Sequence, residues 1–169
     1  MELLDVYNDN GQRTGKVIEK TNKVKEESEL LPGEHIAVSI IYIENSNGEF
    51  LMQKTSKEKG GKYSSTGGHV DHGEEPLETI KREVKEEIGI DIYKDNIVYL
   101  GYMSEDFPIR FMYYLKKDVD LKDVHLQEDE VGSVSYMNME ELENIINEGL
   151  MHKGHLKVLK KVLEYKENI

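Results

Sequence analysis

Glu83, Glu86 and Glu87 lie close together in the chain, with Glu74 and Arg82 before them and Gly68 and Gly89 at either end of the stretch. Carboxylates at this density can hold a hard divalent cation such as Mg2+ or Mn2+, which prefers oxygen ligands and leaves room for water and substrate phosphates. A cation so held polarises a phosphoryl oxygen and activates a bound water. Arg82 can orient a carboxylate through a forked pair of hydrogen bonds. The same acidic run on an ordinary helix would be a solvated face, with Arg82 and Glu86 stabilising it by roughly a few tenths of a kcal/mol. What favours metal binding is the conjunction of the run with the Gly67-Gly68 pair and with Glu74.

These residues need a helix to position them. Pro76 suits a first helical position, because its φ is fixed and its missing N–H is not needed there. Gly89 suits the left-handed cap that ends a helix. Between them Leu77, Ile80, Val84 and Ile88 recur at three- and four-residue spacings and predict one apolar stripe facing the core. Glu83 and Glu87 fall one turn apart beside that stripe, with Glu86 a step toward solvent. Three carboxylates are therefore expected to converge on one point at the edge of a packed surface.

Read as a template, Gly68, Glu74, Arg82-Glu83-Val84, Glu86-Glu87 and Gly89-Ile90 resemble, at every defined position, the signature of the Nudix hydrolases, the MutT-like family. The resemblance implies a Nudix-like α/β/α sandwich and cleavage of diphosphate linkages with cations held by the glutamates. It points to Glu83, Glu86, Glu87 and the carbonyl of Gly67 as metal ligands. It adds a further carboxylate from the loop before the last strand, where Glu130 fits best in Gln127-Glu128-Asp129-Glu130. A wider likeness covers Leu4-Asp5-Val6-Tyr7, Gly11, Gly15, His35, Asn45, Gly48-Glu49, Leu51-Met52-Gln53-Lys54 and Gly67-Gly68-His69-Val70. This portion is similar to the subgroup containing isopentenyl-diphosphate isomerase. The isomerases use an active-site cysteine, and this chain has none. Hydrolysis is therefore the expected chemistry, and isomerisation is disfavoured. Tyr63 stands where many relatives carry tryptophan.

Other candidates are single residues. Lys54 could meet a phosphate, although a lysine on a strand edge is also a common guard against edge pairing. Arg110 is a lesser candidate of the same kind. His35, placed near the pocket by the isomerase-like resemblance, and His69, inside the motif, are candidate substrate contacts. His72 is also inside the motif. The remaining histidines show no zinc-ligand spacing, and Gly60-Gly61-Lys62 lacks the other positions of a phosphate-cradling loop.

A chain of 169 residues with no linker or repeat predicts one domain over 1–169, in which 1–34 form an N-terminal extension. Net charge is −12, which argues against a DNA duplex or an anionic membrane as partner and leaves a small-molecule diphosphate that cations bring in. The absence of cysteine excludes a disulfide framework and a thiol nucleophile. The N-terminus lacks signal-peptide features, and the apolar run near 36–43 is too short to span a bilayer, so a cytoplasmic location is expected.

Residues 2–7 and 15–19 around Asn8-Asp9-Asn10-Gly11 predict a β-hairpin. Residues 20–34 read as a connecting loop with room for a helical turn. Strands are expected at 35–44, buried on both faces, and at 49–55, 97–104, 109–116 and 131–137. A mobile loop is expected at 56–63. Asn138-Met139-Glu140-Glu141 reads as a capping box opening a helix, and a last helix covers 155–166. The order suggests a mixed central sheet with helices packed on it, α/β or α+β in class. The hairpin could exchange contacts with a second copy to give a homodimer. Two functional classes follow: a metal-dependent diphosphohydrolase acting on a nucleoside diphosphate derivative or another organic diphosphate, and a non-catalytic nucleotide-sensing module of the same fold. The intact glutamates favour the enzyme.

Overall fold

The computed structural model describes residues 2–169. Strands β1 (Leu3–Tyr7) and β2 (Arg13–Glu19) form the expected antiparallel hairpin. Its turn is organised by Asn8, whose Oδ1 accepts the N–H groups of Asn10 and Gln12, and by Gly11 at φ +73, a conformation open to a residue without Cβ. The connection then forms a short helix, α1 (Lys23–Ser28), capped by the Asn22 side chain.

The central sheet is built from β3 (Ile36–Glu44), β4 (Phe50–Thr55), β5 (Tyr63–Ser64), β6 (Thr66–His69), β7 (Val98–Met103), β8 (Pro108–Lys116) and β9 (Val131–Met137). The sheet is mixed. β3 runs parallel to β8 along its whole length and antiparallel to β6, β7 pairs with the far side of β8, and β4 lies between β5 and β9. β3 meets β4 only at Glu44 and Phe50, so the sheet splays apart beyond that point. Strands β5 and β6 begin at the end of the stretch read from sequence as a loop over 56–63 and continue through the Gly67-Gly68 pair, where no strand was expected. Their pairing is dictated by β4 and β3, because Gly67 and Gly68 carry no strand preference of their own.

Side chains on β3 alternate between two cores. Ala37, Ile41 and Ile43 pack with Ile80, Val84 and Ile88 of α2 (Pro76–Ile88). Ile40 and Tyr42 face the other way, toward Leu142 of α3 (Met139–Asn147) and Val158, Leu159 and Val162 of α4 (Lys153–Glu167). The result is an α/β/α sandwich whose middle strand is buried on both faces. A third, smaller cluster of Leu4, Val6, Ile18 and Ile36 seats the hairpin on the start of β3. No helix among the described residues is long and apolar enough to cross a membrane.

One member of the expected stripe on α2 is displaced. Leu77 is 39% exposed, and the buried position in that first turn belongs to Thr79. Thr79 can be buried because its hydroxyl donates to Glu74 Oε1 at 2.6 Å.

Candidate functional site

Helix α2 has both its ends fixed. Pro76 occupies its first turn, Glu75 and Glu78 form a reciprocal capping box, and Gly89 closes it at φ +72 with its N–H on Lys85 O. With Ile80, Val84 and Ile88 fully buried, Glu83 and Glu87 are left at the rim where β6 passes. Gly68 makes that passage possible, since a Cβ there would overlap the Glu83 carboxyl group. A Cβ on Gly67 would come within 2.7 Å of Ser39 O on β3. The two glycines therefore let a backbone strand pass between β3 and the glutamates of α2.

Arg82 is the hub of the cluster. Its Nε and Nη2 donate to the two oxygens of Glu74 at 2.8 and 2.9 Å, the forked arrangement expected from its spacing. Nη1 donates to Glu83 Oε1 at 2.7 Å and to Glu86 Oε2 at 3.2 Å, and Nη2 also reaches His69 O at 3.2 Å. Arg82 is held far into its charged form, first by the hydrogen bond to Glu74 and then, against burial, by the charges of Glu83 and Glu74. Burial pushes Glu74 upward, but Arg82 and Thr79 outweigh it and hold the carboxyl below its usual range.

Glu83 and Glu87 behave differently. For Glu83, burial outweighs the attraction of Arg82 and raises the carboxyl. Burial first, and then the charge of Glu83, push Glu87 up to about 8, despite a hydrogen bond from Gln53 Nε2 at 3.3 Å and one from the Gly67 backbone. The site thus contains two half-buried carboxyl groups whose negative charges would repel each other.

The expectation that three carboxylates meet at one point needs correcting. Among the described residues, no three His, Cys, Asp or Glu side chains stand close enough together to hold an ion as they are placed. The physical reason is Arg82: its guanidinium draws Glu83 and Glu86 onto itself, while Gln53 holds Glu87. The donor chemistry still fits a hard cation, because the set is all oxygen and carries repulsion that a cation would relieve.

The glutamates line one side of a cleft of about 780 Å³. Gly67, Arg82, Glu83, Glu86, Glu87, His69 and Glu130 all border it, so most of the residues singled out from sequence share one space. Burial pulls His69 below its usual range. Glu130 reaches the cleft from the loop before β9, with Lys59 as its ion-pair partner at 3.2 Å.

Two candidates lie elsewhere. Side chains alternate along β4, and Gln53 is the one that faces Glu87 and Thr66. Lys54 consequently turns outward and sits over the Tyr63 ring at 5.3 Å. His35 does not border the cleft; its ring is taken up by Asp9 at 2.6 Å and by the carbonyl of Asp106 at 3.0 Å. His72 binds Asp5 Oδ1 at 2.7 Å and fastens the hairpin to the loop before α2.

Sequence reasoning missed Gln53 and His155. His155 borders the cleft from α4, accepts from or donates to Ser65 Oγ at 2.8 Å through Nδ1, and is pulled down to about 3, chiefly by burial. It is neutral at physiological pH. Gln53 could have been found from strand alternation once the face of β4 was known. His155 had no local signal, because it meets Ser65 only through the tertiary fold.

A family model described as NUDIX domain matches residues 33–162. The chain is 33% identical over 155 residues to the Nudix hydrolase lmo0368 of Listeria monocytogenes, covering 88% of this chain and 87% of that protein. It is 26% identical over 107 residues to the NAD-capped RNA hydrolase NudC of Pseudomonas aeruginosa, covering 63% of this chain and 38% of that one. Among solved structures, DR0079 from Deinococcus radiodurans superposes with a TM-score of 0.73 at 22% identity, covering 94% of this chain and 96% of DR0079.

Proposed function

Because the chain belongs to the NUDIX domain family, whose members are pyrophosphohydrolases, we propose that it hydrolyses the diphosphate linkage of a nucleoside diphosphate derivative or another organic diphosphate, with Mg2+ or Mn2+. The observation that carries this reading is the pair Glu83 and Glu87, half-buried one helical turn apart at the rim of the cleft with their carboxyl groups raised. Such a pair costs stability unless it has a task, and cation binding is the task that oxygen donors of this kind serve.

Glu83, Glu86 and Glu87, with Gly67 O and Glu130, would hold the cation, which when bound supplies Lewis acidity and a water of lowered pKa. Arg82, locked by Glu74, keeps Glu83 and Glu86 on the cleft side of α2, and Gln53 aims Glu87. His69 and neutral His155 offer contacts for the organic part of the substrate along the cleft wall. Diphosphate cleavage demands mainly positioning and charge stabilisation, and these residues provide the positioning. The proton of the attacking water goes to Glu83 or Glu130. A drop in kcat on the order of 10²- to 10⁴-fold in Glu130→Gln at saturating Mg2+, with the Mg2+ concentration for half-maximal rate unchanged, would assign it to Glu130; an unchanged kcat would leave it with Glu83, and a drop accompanied by weakened Mg2+ dependence would mark Glu130 as a ligand only.

The test of the reading is release of phosphate, pyrophosphate or nucleoside monophosphate with Mg2+ from nucleoside triphosphates, sugar nucleotides, capped RNA and isoprenoid diphosphates. Native protein should cleave at least one class and Glu87→Gln should not; equal background from both would overturn the assignment. Incubation with isopentenyl diphosphate should yield no dimethylallyl product.

A further inference from the structure

The cleft has a second compartment at the end away from the glutamates. A cavity of about 330 Å³ shares Lys23, Phe107, Pro108 and Arg110 with the main cleft and is completed by residues of α1 and α4. In a protein of net charge −12, its walls carry four cationic side chains, Lys23, Arg110, Lys153 and Lys157, against two carboxylates, Glu27 and Asp106. The excess of positive charge is local and faces a concave space, where field lines are focused and an anion gains most.

Arg110 stands at the junction of the two compartments. Its side chain is only 11% exposed, and its one protein partner is Asp106 Oδ2, which accepts from Nη1 at 2.7 Å. Lys157 shares that same carboxylate, so the trio retains a net positive charge. The Nε–Nη2 edge of the guanidinium has no hydrogen-bond partner among the described residues and lies over Gly154, where a Cβ would come within 2.9 Å of Nε. Gly154 thus lets the guanidinium lie against the backbone of α4, and the charge of Arg110 is held behind the compartment wall while Lys23, Lys153 and Lys157 stand at its surface.

We propose that this compartment takes a phosphate that the substrate carries remote from the scissile diphosphate, so that the preferred substrates are organic diphosphates bearing a further phosphate. The proposal rests on the reading of the main cleft as the diphosphate site. Lys157, Lys153 and Lys23 bind the remote group, Arg110 adds its charge from behind them, and Phe107 and Pro108 form the apolar wall between the two anionic ends.

Matched pairs that differ by one remote phosphate test this directly: coenzyme A against dephospho-coenzyme A, and NADPH against NADH. Binding is measured by calorimetry on the whole protein without divalent cation, so that nothing is cleaved, and hydrolysis is followed separately with Mg2+. The phosphorylated member of at least one pair should bind about tenfold more tightly, the return expected from one or two charged hydrogen bonds. In Lys153→Ala/Lys157→Ala, two exposed positions whose loss leaves the core intact, the ratio should fall toward one with affinity for the dephospho member unchanged. Arg110→Gln should do the same and shift KM more than kcat. Equal binding of both members, or a preference that survives the double substitution, overturns the proposal. A preference abolished by the substitutions in a protein that cleaves nothing would uphold the compartment and sink the hydrolase reading, whereas cleavage without preference would do the reverse.

Discussion

Gly68 and Glu83 occupy nearly the same volume, and only the missing side chain of the glycine lets both exist. Gly68→Ala should therefore displace the Glu83 carboxylate and lower kcat by about a hundredfold, the scale of a misplaced group near reacting atoms. Circular dichroism should show the fold retained, and loss of the fold would mean that the glycine serves the sheet before it serves the site. Glu87 carries a prediction about pH. Its carboxyl titrates near 8 in the folded chain and near 4.5 when unfolded, so the folded state holds a proton that the unfolded state has released. Stability from this group is complete below about pH 4.5 and is lost as pH rises through 8. The lowered histidines, His69, His152 and His155, work in the opposite sense but only below their ordinary value of 6.5. Above pH 7 the Glu87 contribution stands alone among these groups. Urea midpoints of metal-free protein should accordingly fall between pH 7 and pH 8.5, and Glu87→Gln should flatten that slope. Saturating Mg2+ should raise the midpoint most at the alkaline end, because the cation competes with the proton for this pair.

At the scale of elements, helix ends are where sequence and structure agree most closely, and where substitutions have a clean meaning. Gly89 is at φ +72, and a Cβ on it would press against His125 Cβ at 2.9 Å. Gly89→Ala should cost about 1–2 kcal/mol by urea denaturation from backbone strain alone, with more if His125 cannot retreat. Asn138 Oδ1 accepts from Glu141 N–H at 2.9 Å while the Glu141 carboxylate accepts from Asn138 N–H at 3.1 Å, and Asn138→Ala should cost about 1 kcal/mol. A change below a few tenths of a kcal/mol in either variant would show that packing, not capping, holds these helices. Both caps were legible because a cap is a local agreement among neighbouring residues. Strands β5 and β6 were not, since each exists only as an extra row on β4 or β3. The same limit explains Lys54, whose direction depends on which face of β4 meets Glu87, and Leu77, whose buried place went to a threonine paired with Glu74. It explains His35 as well, consumed by Asp9 and by a carbonyl from the loop before β8.

At the scale of the molecule, the hairpin is a brace as well as an extension. Its Asp5 accepts the Gly73 N–H at 2.8 Å and the His72 ring, and Arg13 reaches Glu74 O at 2.6 Å, so β1 and β2 grip the loop that leads into α2. Asp5→Ala should loosen that loop and reduce kcat/KM several-fold while leaving the helices intact by circular dichroism; unaltered kinetics would mean that the grip is dispensable. The parallel pairing of β3 with β8 has a different consequence. It joins Ile36 to Pro108 and Glu44 to Lys116, and everything between, including β6 and α2, is a loop closed by that one ladder. Contacts so distant in sequence are slow to form, because the entropy of closing the loop is spent before the ladder returns it. During refolding, helix α2 and the Gly67-Gly68 strand are close in sequence and can meet early, yet Pro108 and Arg110 of β8 join the cleft wall only after the ladder has closed. Enzymatic competence should therefore be among the last properties to return, trailing the recovery of helical signal in time.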